Sequence, residues 1–169
     1  MSEPDRLARH FRVALGNRDI VYSTRTPTRF GALCVRASAS GVGPDVLLVT
    51  SRNSGRWVIP KGRAIGSKKP HQVASIEAWE EAGVRGKVDK MPLGYFEFRK
   101  TLPDGDIDPL WVQVHLLDVA EEEPAFPERG QRLVRWFKLD EAASLVLETD
   151  LAAMLLSLKN QLSESSSCG

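Results

Sequence analysis

The chain has 169 residues, 42% of them hydrophobic, which suits one well-packed domain and is short for two. Its 23 Lys and Arg residues nearly balance 22 Asp and Glu residues, so the formal charge of +1 provides no overall field for binding nucleic acid or an acidic membrane. Cys34 and Cys168 are too few for a disulfide framework, and no stretch approaches the roughly 18 apolar residues of a membrane span. We therefore expect a soluble, cytoplasmic monomer or homodimer without nucleic-acid or membrane partners.

The predicted elements begin after a polar, Arg-rich lead-in at residues 1–29, where one or two helical turns are expected around residues 7–15. The runs GALCVRAS and DVLLVTS are rich in Val and Leu, and the Gly- and Pro-bearing SGVGP separates them. This arrangement predicts two strands joined by a turn. A third short strand is expected at residues 56–59, where Pro60 stops it.

The best-defined helix is predicted at residues 70–82. Pro70 suits its first turn, alanines recur at every fourth position, and Gly83 suits its C-cap. The helix therefore has both a start signal and a stop signal in the sequence.

The second half of the chain predicts three strands and two helices. The strands are residues 84–99, 110–119 and 133–139, and the turn LPDGDIDP joins the first two. The helices are residues 140–147, with Asp140 as the cap, and a last helix that begins at Thr149 or Asp150 and ends near Leu162. Alternation in the second strand predicts a buried face and an outward face, the latter with Trp111, Gln113 and His115.

The order of these elements predicts an α+β (mixed α/β) fold in which helices flank a mixed β-sheet. No internal repeat or linker divides the chain. We expect a single domain at residues 30–162, after the lead-in, and a disordered tail at residues 163–169.

Glu77, Glu80 and Glu81 form a candidate metal site. On a helix, residues i, i+3 and i+4 project from one face, so the three carboxylates lie within about one turn of each other. Their repulsion costs about 0.2–0.5 kcal/mol per pair. A bound Mg²⁺ or Mn²⁺ replaces this repulsion with ligation by hard oxygen donors. The alternative is a solvated acidic face, since surface helices rich in Glu are common.

A basic segment leads into the acidic helix. Residues 51–69 contain no Asp or Glu, and their cations are Arg52, Arg56, Lys61, Arg63, Lys68 and Lys69. A polyphosphate bound through metal on one side and through Lys and Arg on the other uses both kinds of cation. The alternative is that the basic residues serve solubility alone.

The segments WVIPKG and EAWEEAGV resemble the Nudix box with its usual lead-in. The family pattern is Gly, five residues, Glu, seven residues, Arg-Glu, an aliphatic residue, any residue, Glu-Glu, any residue, Gly and an aliphatic residue, and here it runs from Gly62 to Val84. Lys68 stands in place of the first Glu, and Ile76 in place of the Arg. In the family the first belongs to the surroundings of the metal and the second orients a box glutamate, so the resemblance implies a retained fold with reduced activity.

Further segments extend this resemblance over about residues 29–150: GALCVR, LLVTSR, RWVIPKG, EEAGVRGKV and RWFKLDEAA. They resemble the Nudix branch that hydrolyses diphosphoinositol polyphosphates and diadenosine polyphosphates. The resemblance implies the Nudix fold, a mixed β-sheet sandwich flanked by helices. It also implies a Mg²⁺- or Mn²⁺-dependent attack of water on a phosphoanhydride of a small polyphosphate.

Glu77, Glu80 and Glu81 are the candidate catalytic residues. We expect Glu77 and Glu81 to be metal ligands and Glu80 to be a ligand or to lie beside one, and the resemblance implies the backbone carbonyl of Lys61 as a further ligand. The general base stays open between Glu77, Glu80 and acids of later loops, Glu97 and Glu121–Glu123. The candidate substrate-binding residues are Arg36, Arg52, Lys61, Gly62, Arg63, Arg99 and Arg132.

Two functions remain open on these residues. The first is a metal-dependent pyrophosphohydrolase that cleaves a diphosphoinositol or diadenosine polyphosphate. The second is a catalytically weakened binding or regulatory module of the same fold, which Lys68 and Ile76 favour. A cation at position 68 lowers the negative potential that gathers metal ions and weakens a second or third ion most.

Overall fold

The computed structural model describes residues 24–167, so the turns predicted around residues 7–15 lie outside the described residues. The strands are β1 (Arg29–Ala37), β2 (Pro44–Thr50), β3 (Trp57–Val58), β4 (Lys61–Gly62), β5 (Val84–Val88), β6 (Gly94–Thr101), β7 (Ile107–Glu122) and β8 (Val134–Lys138). The helices are α1 (Pro70–Ala82), α2 (Leu139–Leu145) and α3 (Thr149–Ser167). The α+β fold expected from the sequence is confirmed.

The strands form one mixed sheet with the long strand β7 near its centre. β7 pairs in parallel with β1 and antiparallel with β5 and β6. β1 pairs antiparallel with β2 and β4, and β2 pairs with β3 and β8. α1 packs against β1 and β5, whereas α2 and α3 pack on each other, α2 also against β2 and α3 against β6. The acidic helix also contacts β4, so the start of the box segment and the helix that ends it lie against each other.

α1 forms where the sequence predicts it, and both of its ends are fixed. At the start, Pro70 lies in the first turn and the backbone N–H of Lys69 donates to the side chain of Gln72 at 2.9 Å. At the end, Gly83 adopts the left-handed conformation with φ 70°, and a Cβ there would lie 2.4 Å from the ring of Phe126. Glycine is required at this position on both grounds.

The single strand predicted at residues 84–99 is wrong, because the segment divides into β5 and β6. Between them the carboxylate of Asp89 accepts a hydrogen bond from the backbone N–H of Met91 at 3.0 Å, and Pro92 has no N–H to donate. The chain bends there, and the two strands pair with successive parts of β7. The strand predicted at residues 56–59 shortens to β3, and β4 was not predicted.

The outward position predicted for His115 is also wrong. Its side chain is 1% exposed, and its Nδ1 lies 2.8 Å from the backbone oxygen of Asp89. β7 is paired on both edges and covered on both faces. Its alternating residues therefore do not distinguish a solvent-exposed face from a buried face. Cys34 in β1 is buried too, and burial raises the pKa of its thiol, as expected for an inert cysteine.

The C-terminal helices differ from prediction at their ends. α2 begins at Leu139 with Lys138 as its N-cap, so the prediction of Asp140 as the cap is wrong. The carboxylate of Asp140 accepts a hydrogen bond from the backbone N–H of Glu141 instead. α3 continues past the predicted end near Leu162 to Ser167, since no Pro or Gly interrupts it. No helix within residues 24–167 is long and apolar enough to cross a membrane.

Candidate active site

A cavity of about 590 Å³ beside α1 brings together the acidic helix and the basic segment that the sequence singled out. Its carboxylates are Glu77, Glu80 and Glu81 of α1 and Glu128 of the β7–β8 loop, residues 123–133. Its cations are Arg29, Arg52, Lys61, Arg63, Lys100 and Arg132. The remaining lining residues are Ser51, Asn53, Phe98 and Leu110. Acidic groups and a larger number of cations therefore share one opening.

Glu81 lies at the most buried part of the acidic side. Its side chain is 6% exposed, and one Oε1 accepts from Arg132 at 3.2 Å. The same Arg132 nitrogen lies 3.4 Å from Glu128, and its other terminal nitrogen donates to the backbone oxygen of Thr50 at 3.2 Å. One guanidinium thus joins the helix, the β7–β8 loop and the end of β2.

Glu77 packs directly on the backbone of Gly62. A Cβ at Gly62 would lie 2.0 Å and 2.6 Å from the two carboxylate oxygens of Glu77. β4 pairs with β1 through Phe30 and Gly31, so the position of Gly62 is set by the sheet. The first residue of the box pattern is therefore glycine because its backbone touches the first helix glutamate.

Lys61 lies between the acidic helix and the aromatic ring of Phe98. Its Nζ is 3.9 Å from the ring centroid, a cation–π distance. Burial lowers the pKa of Lys61 to about 8, and the charge of Glu81 opposes this decrease. Lys61 is thus a desolvated cation that the charge of Glu81 stabilises.

The pKa values of two helix glutamates are raised to about 7. For Glu77 the main cause is burial, followed by the charges of Glu80 and Glu128. For Glu81 burial is again the main cause, and Arg132 and Lys61 oppose it. Burial therefore disfavours the ionised form of both carboxylates at neutral pH, although Arg132 and Lys61 favour it.

The structure places several predicted binding residues in the cavity and others outside it. Arg52, Lys61, Arg63 and Arg132 line the cavity with the three glutamates, and Gly62 contacts Glu77. Arg36 lies elsewhere, paired with Glu122 at 2.8 Å and stacked on Trp136. Arg99 lines two adjoining cavities.

The acids suggested as a base from later loops are also placed elsewhere. Glu97 pairs with Arg25 on the surface, whereas Glu122 and Glu123 pair with Arg36 and Arg85. The later acid that lines the cavity is Glu128, which the sequence reasoning missed. The sequence offered one indication of Glu128, which is its position in the long loop before β8.

The acidic side of the cavity suits Mg²⁺ or Mn²⁺ chemically, because its donors are hard carboxylate oxygens. Within residues 24–167, no group of three or more His, Cys, Asp or Glu converges closely enough to enclose a metal ion. Arg132 holds Glu81 instead. Metal ligation by Glu77, Glu80 and Glu81 stays a prediction that the donor chemistry supports.

The sheet, the glutamate-bearing helix and the basic cavity together define the architecture of a NUDIX domain. A family model described as the NUDIX domain matches residues 26–157, and the chain belongs to this family. The family resemblance read from the box is confirmed.

Curated relatives include hydrolases from plants and mammals. Nudix hydrolase 12, mitochondrial, of Arabidopsis thaliana is 38% identical over 104 residues, which cover 60% of this chain and 51% of that protein. Nudix hydrolase 13, mitochondrial, of the same plant is 35% identical, with 60% and 52% covered. Diphosphoinositol polyphosphate phosphohydrolase 3-alpha of Mus musculus is 29% identical, with 70% and 68% covered. The match thus spans about half the length of the two plant proteins.

Solved structures of low sequence identity share the fold. The Ap4A hydrolase of C. elegans is 16% identical with a TM-score of 0.56, and the match covers 81% of this chain and 99% of that one. The NUDIX domain of Shewanella oneidensis NrtR, solved with ADP ribose, is 16% identical with a TM-score of 0.59 and 96% and 99% covered. These likenesses confirm the fold class.

Proposed function

We propose that this chain is a metal-dependent pyrophosphohydrolase that cleaves a phosphoanhydride in a polyphosphorylated small molecule. The observation that supports the proposal most is that four carboxylates and six cations line one cavity. A polyphosphate with its divalent ion needs both groups, the carboxylates for the ion and the cations for phosphate oxygens.

The residues divide the work by position. Glu77, Glu80 and Glu81 would hold the ion, which when bound would supply positive charge to the phosphoryl oxygens and lower the pKa of water. Arg52, Arg63 and Lys100 orient the phosphates. The base that takes the proton from water is Glu128, or Glu77 or Glu80 where that residue does not itself ligate the ion, since each of these carboxylates lies in the cavity and Glu81 is already paired with Arg132.

An adjoining cavity supports a substrate longer than one diphosphate. It measures about 540 Å³ and shares Ser51, Asn53, Phe98 and Lys100 with the first cavity. Arg99 adds a further cation to its wall. Diphosphoinositol polyphosphates and diadenosine polyphosphates, which the sequence resemblance implies, both have phosphate on more than one side of the scissile bond.

The test is turnover by the full chain with Mg²⁺ or Mn²⁺. Diadenosine polyphosphates, diphosphoinositol polyphosphates, ADP-ribose and nucleoside triphosphates are supplied in turn, and phosphate products are measured. We expect turnover of one of the first two classes and a fall in kcat of about 100-fold or more for Glu77→Gln, since even groups beyond the ligands contribute 10- to 100-fold. Absence of turnover with every substrate would overturn the proposal.

A binding or regulatory module is the second candidate function. It is favoured by the ion pair of Glu81 with Arg132, which already satisfies one carboxylate, and by Lys68 and Ile76 within the box pattern. This function predicts binding of the same ligands, measured by calorimetry, with no product formed over many hours. Lys68→Glu then raises Mn²⁺ affinity without producing turnover.

For the cellular location we propose the cytoplasm, on the buried free thiol of Cys34 and the absence of a disulfide framework in the sequence. The alternative is the mitochondrion, since two relatives have names that include the word mitochondrial. Fractionation of cells that express the full chain with a C-terminal tag distinguishes the two compartments.

A further inference from the structure

The acidic helix contains no cation of its own. Residues 70–82 include three glutamates and neither Lys nor Arg. Glu77, Glu80 and Glu81 repel one another, and intrahelical i,i+4 pairs cannot relieve this repulsion. Charges that orient these carboxylates must therefore come from other elements of the fold.

Arg132 is the cation that reaches the most buried of them. Its side chain is 9% exposed, and one terminal nitrogen contacts both Glu81 at 3.2 Å and Glu128 at 3.4 Å. The other terminal nitrogen is held by the backbone oxygen of Thr50. The guanidinium is thus anchored on the sheet side while its other end bridges two carboxylates.

The loop that carries Arg132 is itself fastened to both neighbours. The N–H of Glu128 donates to the backbone oxygen of Glu80 at 2.9 Å, which ties the loop to α1. The N–H of Leu133 donates to the side chain of Thr50 at 2.9 Å, which ties it to β2. Arg132 therefore stands at a fixed distance from the helix.

We infer that Arg132 is a positioning residue, which holds Glu81 and Glu128 in their working orientation from outside the helix. This inference rests on the proposed function. It differs from a role as an ordinary phosphate-binding cation, because the terminal nitrogens of Arg132 are already engaged. Arg52 is the contrasting case, since its side chain is 59% exposed at the cavity rim and lies 3.5 Å from Glu128 without reaching Glu81.

The kinetic test compares these two arginines in the full chain. Arg132→Ala is expected to lower kcat by about 10- to 100-fold, as for other residues that orient metal ligands, while KM changes by less than about threefold. Arg52→Ala, the matched control, is expected to raise KM more than it lowers kcat. A rise in KM for Arg132→Ala with kcat unchanged would show substrate binding instead and overturn the inference.

A rescue experiment separates positioning from general destabilisation. Ile76 lies four residues before Glu80, so Ile76→Arg supplies an intrahelical cation to Glu80, the neighbour of Glu81, and tests whether a cation on the helix can compensate for the lost one. In the Arg132→Ala background this substitution is expected to restore kcat at least threefold, and Arg132→Lys is expected to retain more activity than Arg132→Ala. Failure of both to exceed Arg132→Ala would overturn the positioning role.

A third measurement is independent of turnover. Arg132→Ala leaves Glu81 buried without its ion pair and lowers the melting temperature, so Glu81→Gln in that background is expected to raise it again. If the wild-type chain shows no turnover but Glu81→Gln raises the melting temperature of Arg132→Ala, the proposed function has failed while the Arg132–Glu81 contact stands. If Glu81→Gln lowers the melting temperature further, the Arg132–Glu81 contact does not position the carboxylate and the inference fails.

Discussion

Two buried arginine–carboxylate clusters of the fold differ in charge balance. In the first, Arg56 pairs with Glu148, donates to the backbone oxygen of Arg99 and covers the Phe98 ring. In the second, Arg132 bridges Glu81 and Glu128, beside two further glutamates of α1.

The balance of each cluster indicates its role. One guanidinium against one carboxylate leaves no charge for a ligand, so Arg56 and Glu148 fasten the start of α3 to the edge strand β6. In the second cluster the four carboxylates outnumber the two cations that act on Glu77 and Glu81, which are Lys61 and Arg132. Burial, assisted by the neighbouring glutamates, raises the pKa values of Glu77 and Glu81 to about 7. Breaking a balanced buried cluster destabilises the fold, because it leaves one charge unpaired, whereas an unbalanced cluster has an affinity for an added cation.

Breaking the balanced cluster is expected to give the largest loss of stability. Glu148→Ala leaves Arg56 without its partner, and the two side chains are only 5% and 20% exposed. We expect the free energy of unfolding to fall by about 3–5 kcal/mol, the usual cost of an unpaired buried charge. Urea denaturation followed by circular dichroism measures this change.

Glu97→Ala is the matched control for Glu148→Ala. Glu97 lines the same cavity as Glu148, but Glu97 and its partner Arg25 have side chains that are 39% and 45% exposed. Its removal is expected to cost less than about 1 kcal/mol. Equal losses for the two variants would contradict the assignment of Arg56–Glu148 as a stabilising pair.

Disturbing the unbalanced cluster is expected to affect activity more than stability. In Gly62→Ala the new Cβ overlaps the carboxylate of Glu77, which can rotate away because it is the end of a flexible side chain. We expect kcat to fall by about 10-fold, the lower end of the range for a group that orients a metal ligand. The free energy of unfolding is expected to change by less than about 1 kcal/mol.

A double-mutant cycle tests the reason for that loss. If Gly62→Ala acts through Glu77, it is expected to add little to Glu77→Gln, because both variants remove the same oriented carboxylate. Fully multiplicative losses in kcat would contradict the proposed contact between Gly62 and Glu77.

The box and its helix could be predicted because their signals are local. The spacing from Gly62 to Val84, Pro70 and Gly83 all lie within one short segment, and the helix bounds match the prediction. The strand signals were local too, except where Asp89 and Pro92 bend the chain.

The rest of the site depends on contacts between distant parts of the sequence. Arg132 is 51 residues from Glu81, and Arg36 is 86 residues from its partner Glu122. Charge alone does not distinguish a cation that enters the cavity from one that stacks on a surface tryptophan. For the same reason Glu128 was missed, and His115 was placed outward because alternation does not reveal that both faces of β7 are covered.

The smallest expected effect is the pH dependence of stability in metal-free protein. The pKa of Glu77 and Glu81 is about 7 in the folded chain against a model value of 4.5, so the folded state binds protons more readily than the unfolded state. The stability that these carboxyls contribute is full below pH 4.5 and is lost as pH rises through 7. We expect the melting temperature to fall by about 2–4 °C between pH 5 and 7.

The comparison variant is Glu77→Gln, in which one titrating group is absent, and the fall over the same pH range is expected to be smaller. The range stays below pH 8, near which half of the Lys61 side chains have lost their proton because the pKa of Lys61 is lowered to about 8. Added Mg²⁺ is expected to raise the melting temperature at pH 7 more than at pH 5, because only ionised carboxylates bind the cation. The Arg56–Glu148 cluster is balanced, so Glu148→Gln is expected to leave this Mg²⁺ effect unchanged. A Mg²⁺ effect that is equal at both pH values would show that the unbalanced cluster is not where the ion binds.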